Sequence, residues 1–147
     1  MKKIKKILAP TDLSKLSRAG VRYAMELADA EGAEVVLYYV LEVGDNALAH
    51  DPNLGTPATL FEKHERLLAE FVEKNFADLA DKLKIRKTVE IGSAEKKIVE
   101  KAEQERSDLI VMSTHGRTGL DHVLVGSVTE RVVGRAPCPV LSIRPPK

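Results

Sequence analysis

The chain has 147 residues, 44% of them hydrophobic and 31% charged, a composition suited to a single globular domain over residues 1–147. Its 23 Lys and Arg balance 22 Asp and Glu to a net charge of +1, which gives no electrostatic reason to expect nucleic acid as a partner. The lone Cys138 excludes an internal disulfide framework and a cysteine-rich zinc site. No apolar run is long enough to span a membrane, and no signal-peptide-length stretch follows the basic start Met1–Ile7. The expectation is a cytoplasmic protein in a reducing compartment.

In chain order, Ile4–Ala9 reads as a strand closed by Pro10, and Leu16, Ala19, Gly20, Tyr23, Ala24, Leu27 and Ala28 recur at helical spacing up to a stop at Gly32. Val35–Val40 is β-branched and aromatic, as a buried strand requires. From Glu42 to Ala58 turn-forming residues dominate, and the segment is expected to be a mobile flap. Thr59 and Glu62 have capping-box spacing, and Leu67, Leu68, Phe71, Val72, Phe76, Leu79 and Leu83 then turn inward along a long helix. Thr88–Ile91 is a brief strand, Ala94, Ile98, Val99 and Ala102 mark a helix, and Leu109–Met112 is a strand apolar on both faces. Ser127 and Glu130 offer a second capping box on a helix reaching about Arg135, before a last strand at Val140–Ile143.

Strands buried on both faces and alternating with helices imply an α/β fold with a doubly wound parallel sheet, helices on both faces. Ligands of such sheets sit beyond the carboxyl ends of the strands. Here those ends are Pro10-Thr11-Asp12, Val40-Leu41-Glu42, Ile91-Gly92-Ser93 and the segment Ser113–Gly126. The Walker phosphate loop, the dinucleotide fingerprint, H-E-x-x-H and G-x-S-x-G are all missing, and the four histidines lack the spacing of helix-borne metal ligands, so no metal site is expected. His64 is expected on a helix surface.

The segment Met112–Thr129 leaves a buried strand, passes Gly116 and Gly119, and ends at Gly126-Ser127, where a helix opens. Glycines and a helix N-terminus suit a phosphate chain; they equally suit a plain turn with Ser127 as a cap. Arg117 is either a phosphate partner or a solvated loop charge. Asp12 either meets a ribose or a metal–phosphate complex, or serves as a turn or capping residue. Val40 and Met112 read as packing residues, with Val40 also able to offer its backbone to an adenine edge, and Cys138 reads as a small buried residue.

Ile7–Ser14, Ser113–Leu120, Leu124–Val132 and Ala136–Leu141, in this order, resemble the universal stress protein family over essentially the whole chain. The resemblance implies a five-stranded parallel sheet in the order 3-2-1-4-5, related to the adenine nucleotide α hydrolase-like folds. Its ATP-binding members carry G-x2-G-x9-G-[ST] after the fourth strand. Gly116, Gly126 and Ser127 match, and Ser113 stands at the first glycine. By resemblance, Pro10, Thr11, Asp12 and Val40 surround the adenosine, with Thr11 and Val40 acting through the backbone. Met112, Ser113, His115, Gly116, Arg117, Gly126, Ser127, Val128 and Thr129 surround the ribose and phosphates, with Mg held through the phosphates. The expected function is a small ATP-binding stress-response regulator that signals nucleotide state to a protein partner. It would pair with its copy through the C-terminal strand. The alternatives are a nucleotide-free interaction module, or a slow ATPase or phosphotransfer enzyme that would need Asp12 and His115 to converge.

Overall fold

The computed structural model describes residues 2–43, 55–115 and 125–146. Its elements are β1 (Lys6–Thr11), α1 (Arg18–Glu31), β2 (Glu34–Leu41), α2 (Pro57–Ala80), β3 (Ile85–Ile91), α3 (Ala94–Glu105), β4 (Leu109–Ser113), α4 (Ser127–Arg135) and β5 (Val140–Ile143). The strands form one parallel sheet in the order β3-β2-β1-β4-β5, the order the family resemblance implies.

Strand alternation divides the interior into two cores. Ile7, Ala9, Val35, Leu37, Tyr39 and Val111 face α1 and α2, where they meet Val21, Ala24, Leu68, Phe71 and Phe76. Leu8, Val36, Tyr38, Ile110 and Met112 face α3 and α4, against Ile98, Ala102 and Val132. Each such aliphatic side chain withdrawn from water contributes ~1.5–3 kcal/mol, so both layers are driven by the strand pattern itself.

Several elements depart from the sequence-based expectations. Pro10 does not close β1: it lies inside the strand, in register with Tyr38. The ladder to β4 stops at Leu8, so on that side the missing proline N–H breaks no bond between strands. Tyr23 lies off the buried stripe of α1 and is 43% exposed; Val21 and Met25 complete that stripe. The cap of α2 is Thr56 rather than Thr59. Thr56 Oγ1 accepts from the Thr59 N–H, Thr59 Oγ1 accepts from the Thr56 N–H, and Pro57 fills the first turn, where its lost N–H has no partner to lose. The helix therefore takes in Pro57 and Ala58, and residues 44–54 of the expected flap lie outside the described residues. β3 starts three residues before the expected Thr88, at Ile85, because Arg86 and Lys87 occupy an edge strand where charge is tolerated. His64 is half-buried, its ring edge-on to Tyr39 at 5.5 Å. Cys138 is likewise half-buried, and its burial pushes the thiol pKa up.

At the amino ends of the strands, ion pairs stitch the layers together. Arg86 on β3 bonds Glu34 on β2 and Glu105 on α3, and Glu105 also pairs with Lys6 of β1 and Lys101. The Asp108 carboxylate accepts from the Lys5 and Lys6 N–H groups at 2.9 and 3.0 Å. The opposite rim, at the carboxyl ends, is held mainly by hydroxyls and backbone groups.

Candidate functional site

The carboxyl rim begins where β1 ends. Thr11 Oγ1 accepts from the Leu13 N–H at 3.0 Å and lies 2.8 Å from Ser17 Oγ, which donates to the Ser14 carbonyl at 2.8 Å. Asp12 Oδ1 accepts from the Ser14 N–H at 3.0 Å. Leu13 takes a left-handed conformation (φ 66°), which the ring of side-chain bonds around it holds in place. Asp12 therefore serves as a turn residue, one of the two roles read from sequence. The buried Thr11 hydroxyl is engaged within the turn.

At the end of β2, Val40 is half-buried against the core on the α3 side. Two residues on, the Glu42 carboxylate accepts from the Ala94 N–H at 2.8 Å, and Gly92 N–H donates to the Leu41 carbonyl at 3.1 Å. Ser93, the N-cap of α3, makes no side-chain cap bond, so Glu42 supplies one from another loop. That carboxylate thus lies against the first turn of α3, where a negative charge is favoured.

The tip of β4 carries the densest wiring. Ser113, Thr114 and Thr129 are all buried. Ser113 Oγ accepts from the Gly20 N–H of α1 at 2.9 Å, and the Ser113 carbonyl accepts from Thr129 Oγ1 of α4 at 2.9 Å. Thr114 N–H donates to the Ile143 carbonyl of β5 at 2.8 Å, and its carbonyl accepts from the Gly126 N–H at 2.6 Å. The half-buried His115 has its Nδ1 3.1 Å from Thr114 Oγ1. Asp12 thus bonds Ser14, and His115 lies beside Thr114.

Both ends of the β4–α4 loop are pinned side by side. A Cβ built on Gly126 would stand 3.0 Å from the Thr114 carbonyl oxygen, so glycine permits this approach. Gly126 is also the N-cap of α4, in extended conformation and with no side-chain cap bond; Ser127 is the first helical residue. The expected capping box on Ser127 and Glu130 is therefore absent. Gly126 sets the helix start one residue early, Glu130 N–H bonds the Gly126 carbonyl, and the Thr129 hydroxyl is spent on Ser113. The first turn of α4 meets solvent at Ser127 with Val128 half-buried beside it, and its leading N–H groups have no intrahelical acceptor.

Of the expected site residues, Pro10, Thr11, Asp12, Val40, Met112, Ser113, His115, Gly126, Ser127, Val128 and Thr129 all fall at this end of the sheet. Gly116 and Arg117 lie outside the described residues. Met112 packs into the core between β4 and the α3–α4 layer, as its sequence context suggests. Sequence reasoning missed Gly20 as a site-supporting residue. The available signal was its cost: glycine inside a helix loses ~1 kcal/mol against alanine, and close backbone approach is a common reason to keep it. Among the described residues no three His, Cys, Asp or Glu cluster to hold a metal, and no helix is long and apolar enough to cross a membrane.

A doubly wound parallel sheet with a glycine-started helix facing a pinned loop defines the α/β class whose ligands lie at the strand carboxyl ends. The sequence signature of the universal stress protein family matches residues 3–144, and the chain belongs to that family. Universal stress protein MJ0531 of Methanocaldococcus jannaschii is 37% identical over 97% of this chain and 84% of its own. The structure of MJ0577 from the same organism aligns with TM-score 0.75 at 28% identity, covering 99% of each chain. A universal stress protein solved in complex with cAMP aligns with TM-score 0.70 over 99% of this chain and all of its own; at 21% identity that likeness is one of fold.

Proposed function

We propose that this protein binds ATP at the carboxyl rim of the sheet, with Mg held through the phosphates, and that it acts in the cytoplasm as a homodimeric stress-response regulator. In this reading the phosphates lie against Gly126, Ser127, Val128 and Thr129, with His115, Gly116 and Arg117 from the loop. The adenosine lies toward Pro10, Thr11, Asp12 and Val40. The supporting observation is Gly126. It starts α4 without a side-chain cap and brings the helix close to the β4 tip, leaving the leading amides for an anion. Ser113 fits the reading too: its φ is not positive, so glycine is not required there for conformation. The fold neighbour solved with cAMP is a precedent for an adenine nucleotide on this architecture.

Magnitudes indicate what the site must supply. A helix dipole contributes only ~0.3–1 kcal/mol toward an anion, whereas micromolar affinity requires about −8 kcal/mol. Several amide hydrogen bonds, the cation and the base must therefore act together. Glu42 and its charge are already engaged by Ala94 at the mouth of α3, which keeps that carboxylate off the phosphates.

Titration calorimetry with Mg-ATP, alongside chromatography of nucleotide released from freshly purified protein, tests the reading. Gly126→Ala places a methyl group 3.0 Å from the Thr114 carbonyl oxygen and controls for the local displacement that any side chain causes here. Gly126→Asp adds a negative charge and should weaken binding by well over tenfold, because charge repulsion and exclusion together exceed ~1.4 kcal/mol. No heat at millimolar Mg-ATP and no released nucleotide would overturn ATP binding in favour of a nucleotide-free interaction module.

A further inference from the structure

The turn before helix α1 satisfies the Ser17 and Arg18 N–H groups through Ser14 and Lys15, and leaves the later N–H groups of the first turn to other partners. The N-cap Ser17 has helical backbone angles, makes no side-chain cap bond, and donates its hydroxyl to the Ser14 carbonyl instead. Gly20 is the third helical residue, so its N–H is one of the four that the helix cannot satisfy. The acceptor comes from 93 residues away: Ser113 Oγ at 2.9 Å, in a buried bond. The approach is close enough that a Cβ on Gly20 would stand 2.5 Å from the Ser113 nitrogen and 2.7 Å from the Met112 carbonyl carbon. On its other side, the Ser113 carbonyl holds the Thr129 hydroxyl of α4. Ser113 is thus clamped between the first turns of two helices, at the residue from which the loop departs.

Resting on the ATP-binding reading above, we infer that Ser113 is a positioning residue that couples nucleotide occupancy to α1. Its hydroxyl points to Gly20 and serves as a tertiary cap rather than as a ligand to phosphate. A nucleotide held against the first turn of α4 draws on this clamp, because Thr129 of that turn bonds the Ser113 carbonyl. The clamp leads on through α1 to Ser17, and from Ser17 Oγ to Thr11 at the tip of β1. The two halves of the rim, on β1 and on β4, are joined by this path. Serine at this position is therefore a working part of the site, and removing its hydroxyl loosens binding without deleting a ligand contact.

The test measures Mg-ATP affinity and Gly20 amide exchange in the unmodified protein, Ser113→Ala and Ser113→Gly, well below each thermal midpoint. In the unmodified protein, saturating Mg-ATP should slow Gly20 exchange. Both variants should bind Mg-ATP about fivefold or more weakly, the lower end of typical coupling between sites, and should lose the nucleotide-dependent slowing. Equal affinity in Ser113→Ala, or tighter binding in Ser113→Gly, overturns the inference and leaves ATP binding standing. No binding by the unmodified protein removes the ATP reading and the inference with it. Should neither variant fold, the unmodified protein still decides: Gly20 exchange indifferent to bound Mg-ATP sinks the coupling, and slowed exchange supports it.

Discussion

Gly20 sets two effects of opposite sign against each other. Alanine there would gain ~1 kcal/mol of helix propensity. The same methyl would stand 2.5 Å from the Ser113 nitrogen, a backbone atom that cannot rotate away. Overpacking of this kind costs ~1–3 kcal/mol or more, and a backbone obstacle belongs at the upper end. Gly20→Ala should therefore lose about 2 kcal/mol net in urea unfolding, and a gain in stability would show that α1 can slide off β4 freely. A glycine inside a helix hints at a close approach, but nothing near Gly20 in the sequence names its partner, which lies on β4. The residues of the rim were legible as a set, from the turn at Asp12 to Gly126-Ser127. The bonds among them were not, since a hydroxyl can turn to a ligand, its own turn or a distant helix.

At the scale of elements, the hydrophobic period placed what is buried and left the boundaries to local chemistry. Both central cores follow from alternation in Val35–Val40 and Leu109–Met112, visible in sequence. The first half of β3 was illegible because Arg86 and Lys87 look like loop residues until Glu34 and Glu105 are known to wait beside Arg86. One expected capping box lies three residues earlier and the other is absent for one reason: a Ser or Thr followed by Glu is a pattern, whereas the cap is set by which residue leaves the helix. For α2 the distinction is measurable. Thr56→Ala should cost ~1 kcal/mol in the first turn and speed amide exchange around Thr59, whereas Glu62→Ala should leave that exchange unchanged.

At the scale of the molecule, the ion pairs at the amino ends of the strands make stability pH-dependent. Hydrogen bonding to Arg86, followed by bonding to Lys6, lowers the Glu105 carboxyl to about 2, and Arg86 likewise lowers Glu34. A depressed folded-state pKa gives stability that is present above the ordinary carboxylate range, near 4.5, and is lost as pH falls toward 2. After screening at the partly exposed guanidinium, Glu105 should contribute roughly 1–2 kcal/mol at pH 7. Glu105→Gln should thus melt lower than the unmodified protein at pH 7, with the gap closing below pH ~3; a constant gap would remove this account. The opposite edge of the sheet bears on assembly. β5 is an outer strand with Val140, Leu141 and Ile143 only partly covered, an edge suited to pairing with a second copy. Leu141→Lys should lower the sedimentation mass toward one chain at micromolar concentration, whereas a monomeric mass for the unmodified protein would dismiss the dimer.

The paired anchors Gly126–Thr114 and Thr129–Ser113 also bear on how much length this chain can accept between them. Because strand and helix hold the two ends together, the intervening segment does not have to close itself. Lengthening such a segment costs only ~0.6 kcal/mol per doubling. Added length between the anchors is consequently cheap to the scaffold, and the sheet beneath can stay as it is.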